Sequence, residues 1–163
     1  MANRTQQNPV VSSDEWYTPR WVIDELGPFD LDPCAPMQPP YEIAPLSFNQ
    51  ESDGLSQTWP DTAVVFMNPP YSRPLLRPFV EKLAKHGNGI ALLKNQVDNL
   101  LFQEVIFTKA ASMLFMRHRI KFITPEGSTG SPFFGSVLVA FGHECDRRLR
   151  QSKIEGKYVV LNV

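Results

Sequence analysis

At 163 residues, 42% of them hydrophobic, the chain is long enough for one domain with its own core, with no need of a disulfide or metal staple. Its net charge of −1 hides a division: residues 1–72 carry two Lys/Arg and ten Asp/Glu, a balance of −8, and residues 73–163 carry fourteen and seven, a balance of +7. No apolar run approaches the roughly 20 residues of a membrane helix and no signal-peptide core opens the chain, while Cys34, Cys145 and the three histidines have no metal-ligand spacing. No metal and no membrane partner are expected, and the economical setting is a reduced, cytoplasmic one.

Residues 1–13 are polar and without periodicity, which predicts a flexible N-terminal arm, with residues 14–163 forming a single domain. Thr18 suits an N-cap, Pro19 a first helical position and Gly27 a stop, giving a helix over 19–26. Phe29 to Asp32 reads as a strand closed by Pro33. Residues 36–62 are rich in Pro, Asn, Gln and Ser, and their prolines forbid a long helix. The five apolar residues Ala63 to Met67 form a buried strand, stopped by Pro69 and Pro70. A helix runs from Ser72-Arg73-Pro74 to about His86, with Leu75, Leu76, Phe79, Val80 and Leu83 as its apolar stripe. Gly89 to Leu93 is the next strand, and Lys94 and Asn95 follow its end. Asp98 can cap a helix to about Phe107. This alternation predicts a parallel sheet with right-handed crossovers.

Further on, Ser112 to Met116 is a strand, and Arg117 to Phe122 alternates basic and apolar residues as a half-exposed strand does. Thr124 to Ser131 is a loop. Phe134 to Phe141 returns as a strand antiparallel to a neighbour. Arg147, Arg148, Arg150 and Lys153 form a basic connection to a last strand at Tyr158 to Leu161. The basic second half can mark a side that faces nucleic acid, although solvated helix faces give the same charge.

Asn68-Pro69-Pro70-Tyr71 is the stretch with chemistry in it. Ligands in open α/β sheets bind at the carboxyl ends of strands, and this tetrapeptide follows one. Asn68 offers a carbonyl acceptor and an NH2 donor, and the Pro69 carbonyl is a second acceptor held by fixed backbone angles. Two acceptors at a set distance suit the hydrogens of an exocyclic amine, and the ring of Tyr71 offers a face for a planar group. An ordinary turn uses the same residue types.

A strand followed by Asn68-Pro69-Pro70-Tyr71 resembles the catalytic motif of the amino-group methyltransferases that use S-adenosylmethionine. Asp14-Glu15-Trp16-Tyr17-Thr18-Pro19, Phe29-Asp30-Leu31-Asp32-Pro33-Cys34-Ala35, Asp53-Gly54-Leu55 with Trp59, and Arg119-Ile120-Lys121-Phe122 are similar, in order, to one branch. That branch is the short phage-type DNA adenine-N6 methyltransferases of the Dam type, and the likeness covers roughly residues 14 to 142. The resemblance implies a compact, Rossmann-like α/β fold, its sheet mostly parallel with a reversed strand near the C-terminus. It implies S-adenosylmethionine as cofactor and the N6 amine of adenine in DNA as substrate. Asn68, Pro69, Pro70 and Tyr71 would then be catalytic, with Asn68 also at the cofactor. Tyr17, Thr18 and Pro19 would meet the methionine end, Asp32 and Pro33 the amino-acid portion, Asp53 the adenine amine and Leu55 the adenine face.

By charge and position, Arg73, Arg117, Arg119 and Lys121 are the expected contacts to the DNA backbone. The flipped adenine would stack on Tyr71. One departure stands out, for no glycine occurs between Gly27 and Gly54. That argues against a dinucleotide pyrophosphate site but not against S-adenosylmethionine, which has no phosphate. A second strand ending in a ribose-holding acid is also expected, and Glu42 and Glu51 are the only glutamates in its stretch. Cys34 reads as structural. There is little room for a separate target-recognition domain: either the 124–131 loop serves as one, or specificity is low, or a homodimer supplies the rest. Enzymes that methylate RNA guanine or protein glutamine share the tetrapeptide, and a phage nucleic-acid-binding protein could keep a degenerate version of the fold.

Overall fold

In a computed structural model, residues 16–72 and 74–162 are described; the expected arm over 1–13, Asp14, Glu15 and Arg73 lie outside them. Helix α1 (Arg20–Leu26) buries Val22, Ile23 and Leu26. Strands β1 (Leu31–Asp32), β2 (Leu46–Ser47) and β3 (Val65–Met67) follow, then helix α2 (Leu76–His86) and strand β4 (Gly89–Lys94). A wide helical turn over Phe102–Ile106 runs into helix α3 (Phe107–Lys109) and strand β5 (Ser112–Met116). Short strands β6 (Phe122–Ile123) and β7 (Thr129–Gly130) precede β8 (Ser136–Phe141), helix α4 (His143–Gln151) and β9 (Gly156–Val160).

Seven strands form one sheet in the order β2-β1-β3-β4-β8-β5-β9. The pairs from β2 to β4 are parallel, and β8 and β9 run against their neighbours. Five strands thus point one way and two are reversed, so the sheet is mixed. Pleating divides the apolar side chains between two faces. Val65, Met67, Ala91, Leu93, Val137 and Val139 pack with Phe79, Val80 and Leu83 of α2 and with Phe102 and Ile106. Phe66, Ile90, Leu92, Leu138 and Ala140 pack with α1 and with Cys145 and Leu149 of α4. The result is helices on both faces of a central α/β sheet, with the carboxyl ends of β1, β3, β4 and β5 along one edge.

Several local expectations change. Thr18 is not a cap: its hydroxyl has no hydrogen-bond partner among the described residues, and α1 starts through Val22 N–H donating to the Pro19 carbonyl at 3.1 Å. Gly27 ends α1 in extended backbone, φ −75°, rather than a left-handed turn, whereas Gly87 does close α2 left-handed at φ +74°. Asn99, not Asp98, caps the third helical segment, its Oδ1 accepting Phe102 N–H at 3.0 Å. Arg117–Phe122 is not a continuous strand. Only Phe122–Ile123 pairs, with Thr129–Gly130 in a separate hairpin, so the expected 124–131 loop is that hairpin's turn and return strand. The basic connection is helix α4, held by Glu144 paired with Arg147 at 2.7 Å and Arg148 at 2.8 Å. The second strand exists as β2, parallel to β1. No described helix is long and apolar enough to cross a membrane.

Candidate functional site

The carboxyl ends of β1 and β3 open into a cleft of about 530 Å³, a size that suits a cofactor. Three segments build its floor. Tyr17 exchanges backbone hydrogen bonds with Ile123, at 2.9 and 3.0 Å, so the β6–β7 hairpin fixes Tyr17 and Thr18 beside the sheet. Asp32 and Pro33 enter at the end of β1, and Asn68, Pro69 and Pro70 at the end of β3. Tyr41 closes the wall with its hydroxyl donating to the Thr18 carbonyl.

Two buried polar groups in this cleft lack what they need. Thr18 is 3% exposed and its Oγ1 has no partner among the described residues, which costs free energy unless a ligand supplies one. Asp32 is 4% exposed, and one carboxylate oxygen accepts Cys34 N–H at 3.1 Å. Burial pushes its pKa up from 3.8 to about 7, against the smaller opposing effect of that hydrogen bond. With no cation beside it among the described residues, this buried carboxylate is a candidate receptor for one.

Asn68 is oriented by its partners. The Trp16 carbonyl can only accept, so the 2.8 Å contact fixes Nδ2 there and turns Oδ1 the other way. The Tyr71 hydroxyl lies 2.9 Å from the Leu92 carbonyl and 3.1 Å from Asn68 Oδ1. When its one proton goes to Leu92, Oδ1 is left free to accept from a substrate. Burial holds the Tyr71 pKa well above the ordinary tyrosine value, so that proton stays on.

The expected site residues divide three ways. Tyr17, Thr18, Asp32, Pro33, Asp53, Asn68, Pro69 and Pro70 line the cleft together. Pro19, Leu55 and Tyr71 do not line it: Pro19 is buried ahead of α1, Leu55 packs against the core, and Tyr71 points its hydroxyl into the sheet. The Tyr71 ring instead meets Lys94 Nζ at 4.7 Å and the Phe134 ring at 6.0 Å. Arg117, Arg119 and Lys121 are exposed beyond β5, outside the cleft. Arg119 Nη1 donates to the Pro132 carbonyl at 3.2 Å, and Arg117 pairs with Glu155 at 3.3 Å.

Sequence reasoning did not find Tyr41, Asn49 and Gln50, which line the cleft where an acid after β2 was expected. Glu42 and Glu51 are both exposed and lie outside the lining. Asn49 carried a faint signal as the first polar residue after Leu46-Ser47-Phe48. Its Oδ1 accepts the N–H groups of Glu51 and Ser52.

The turn at Asp53 is held from behind. Gly54 lies so close to Pro33 that a Cβ there would sit 2.1 Å from the Pro33 carbonyl oxygen. Lys82 of α2 donates to the carbonyls of Gly54 at 3.2 Å, Leu55 at 2.7 Å and Gln57 at 2.6 Å, with its Nζ 4.9 Å from the Trp59 ring. Desolvation lowers the Lys82 pKa, and Asp53 works the other way. Lys82→Met keeps the stem and deletes all three bonds. Amide exchange over residues 54–57 is then expected to quicken about tenfold or more while β4 and β8 stay protected; hydrogen-exchange mass spectrometry reads both.

A family profile described as DNA N-6-adenine-methyltransferase (Dam) matches residues 5–149. A DNA N-6-adenine-methyltransferase of Escherichia phage T1 is 36% identical over 92 residues, which covers 52% of this chain and 37% of that protein. The chain therefore spans little more than a third of the length of this curated relative. No solved structure matches.

Proposed function

The chain belongs to the DNA N-6-adenine-methyltransferase (Dam) family, and from that premise we propose that it transfers a methyl group from S-adenosylmethionine to N6 of adenine in DNA. We read its α/β sheet as a compact Rossmann-like methyltransferase fold. The observation that carries the proposal is the Asn68 amide, pinned through Nδ2 to Trp16 so that Oδ1 is available at the end of β3.

The cleft residues fit the cofactor. Asp32 would take its ammonium group, Thr18 its amino-acid end, and Asp53 the adenine amine. The cofactor supplies an electrophilic methyl group on a sulfonium. An aromatic amine is a poor nucleophile because its lone pair is delocalised into the ring. Asn68 Oδ1 and the Pro69 carbonyl accept its two hydrogens, draw the nitrogen toward tetrahedral geometry and aim the lone pair. Orientation and fixed dipoles provide the acceleration. The methylated aminium is a strong acid and releases its proton to water. Because the amine of a paired adenine is out of reach, the base must leave the duplex, and the Tyr71 ring, packed against Phe134 and Lys94, would border the place where it arrives. Arg117, Arg119 and Lys121 are exposed on the same edge of the sheet and would carry the salt-sensitive share of DNA affinity.

The test uses tritium-labelled S-adenosylmethionine and unmethylated duplex DNA. Label is expected in N6-methyladenine after nucleoside digestion. Label in RNA or protein would redirect the proposal to a sister activity. No transfer, together with no calorimetric binding of the cofactor, would sink it.

A further inference from the structure

The link between β7 and β8 holds a side chain that the proposed chemistry does not use. Phe133 is 98% exposed, the most exposed of the large apolar side chains described. Single apolar residues on a surface are common and need no explanation. This one is different in how firmly it is presented. Pro132 before it is buried, and its carbonyl accepts Arg119 Nη1 at 3.2 Å. Phe134 after it is turned inward, its ring 6.0 Å from the Tyr71 ring and 4.3 Å from Lys94 Nζ. The Gly135 carbonyl then accepts Asn95 N–H at 2.9 Å. The backbone is tied on both sides, and the ring between the ties stands in water, one residue before the ring that packs on the tetrapeptide's tyrosine.

We infer that Phe133 is a wedge that enters the DNA base stack where the extruded adenine has left it. The inference rests on the proposed adenine chemistry and names how the duplex is opened to it. Extrusion unstacks two base faces and leaves a gap of aromatic dimensions. An apolar ring inserted between base steps offsets that unstacking, and a ring on pinned backbone does so with little ordering cost. Phe134 and Phe133 then act on opposite sides of one event: the first packs on Tyr71 behind the receiving site, the second fills the space the base vacates. The exposed cations Arg117 and Lys121 on the same edge favour a duplex backbone, not an apolar protein partner, as what approaches this ring.

The test compares the native chain, Phe133→Ala and Phe133→Trp on one unmethylated bacterial genomic DNA, double-stranded and heat-denatured. Cofactor binding by calorimetry serves as the folding control. Phe133→Ala is expected to lose about 10- to 100-fold in kcat/KM on duplex DNA and to stay within about threefold on denatured DNA, since no stack needs filling there. Phe133→Trp should restore the duplex rate. Duplex activity of Phe133→Ala within about twofold of native, or equal losses on both DNAs, would overturn the wedge. If denatured DNA is inert even for the native chain, rescue by tryptophan decides: restoration supports the wedge and failure to restore removes it. A native chain that binds cofactor but methylates neither DNA overturns the adenine chemistry and the wedge together. Native activity with an indifferent Phe133 overturns the wedge alone.

Discussion

Replacing Asn68 with alanine is expected to lower the single-turnover methylation rate by about 10³-fold, with cofactor affinity changed by no more than about threefold. Three contacts meet at this side chain. Its Nδ2 is tied to the Trp16 carbonyl at 2.8 Å, its Oδ1 lies 3.1 Å from the Tyr71 hydroxyl, and the same oxygen is the proposed acceptor for the substrate amine. Alanine deletes the acceptor and leaves the Pro69 carbonyl to hold the amine alone, so the nitrogen is no longer drawn out of the plane of the ring. Asn68→Asp separates the two roles. A carboxylate still accepts from the amine but faces the Trp16 carbonyl, acceptor to acceptor, and loses the tie that orients it. It should retain more activity than alanine, and the shortfall from native reports what the Trp16 bond contributes to aim. Rates from rapid quench and affinities from calorimetry settle the matter; a purely weaker cofactor affinity in Asn68→Ala would move Asn68 from the chemistry to binding.

The second large effect belongs to Asp32 and has a pH signature. Burial raises its carboxyl to about 7 from an ordinary 3.8. Between those values the unfolded chain has already released the proton that the folded, ligand-free protein still holds. Its stability therefore falls as pH rises from about 4 to about 7 and levels off beyond. Cofactor binding runs the opposite way, because the ammonium is attracted only to the ionised carboxylate. Affinity is expected to rise by up to about tenfold per pH unit from pH 5 toward 7 and then flatten. Asp32→Asn should cost about 10²- to 10³-fold in affinity, since it leaves the ligand's cation buried without a partner. The variant should also abolish the pH dependence and melt higher than the native apoprotein at pH 8. Calorimetry at pH 6, 7 and 8 with parallel thermal melts tests both halves. A pH-independent affinity in the native chain would remove Asp32 from the cation's side.

What could be read in the sequence was what local chemistry dictates. Ala63 to Met67 followed by two prolines admits little besides a buried strand that stops. Phe79, Val80 and Leu83 mark the buried stripe of α2 at helical spacing. The misread elements depend on distant partners. Helix α4 buries only Cys145 and Leu149 of nine residues, so its apolar signal is two positions long and its basic residues dominate the pattern. Thr18 has the chemistry of a cap, yet Tyr17 is held by Ile123 from more than a hundred residues away, and the hydroxyl is left buried at the cleft wall with no partner among the described residues. Tyr71 sits beside the lining residues in sequence, but the Leu92 carbonyl turns it into the sheet. Arg119 to Phe122 keeps the burial alternation of a strand although most of it has no neighbour to pair with. Gln50 carried no signal and Asn49 only its place after a short apolar run, because the position of β2 beside β1 is set by tertiary pairing.

The order of the sheet also governs when the protein can exist. β8 lies between β4 and β5 although it leaves the ribosome after both. Until Phe141 has been synthesised, β4 and β5 each present an unpaired apolar edge, and the half of the chain with Asp32 and Asn68 has no completed sheet to rest on. Pairing at such sequence separation is slow to nucleate and exposes those edges meanwhile. A premature stop or a protease cut between Met116 and Ser136 would therefore yield no half-active fragment, only an aggregating one, and function would arrive all at once when β8 has been made.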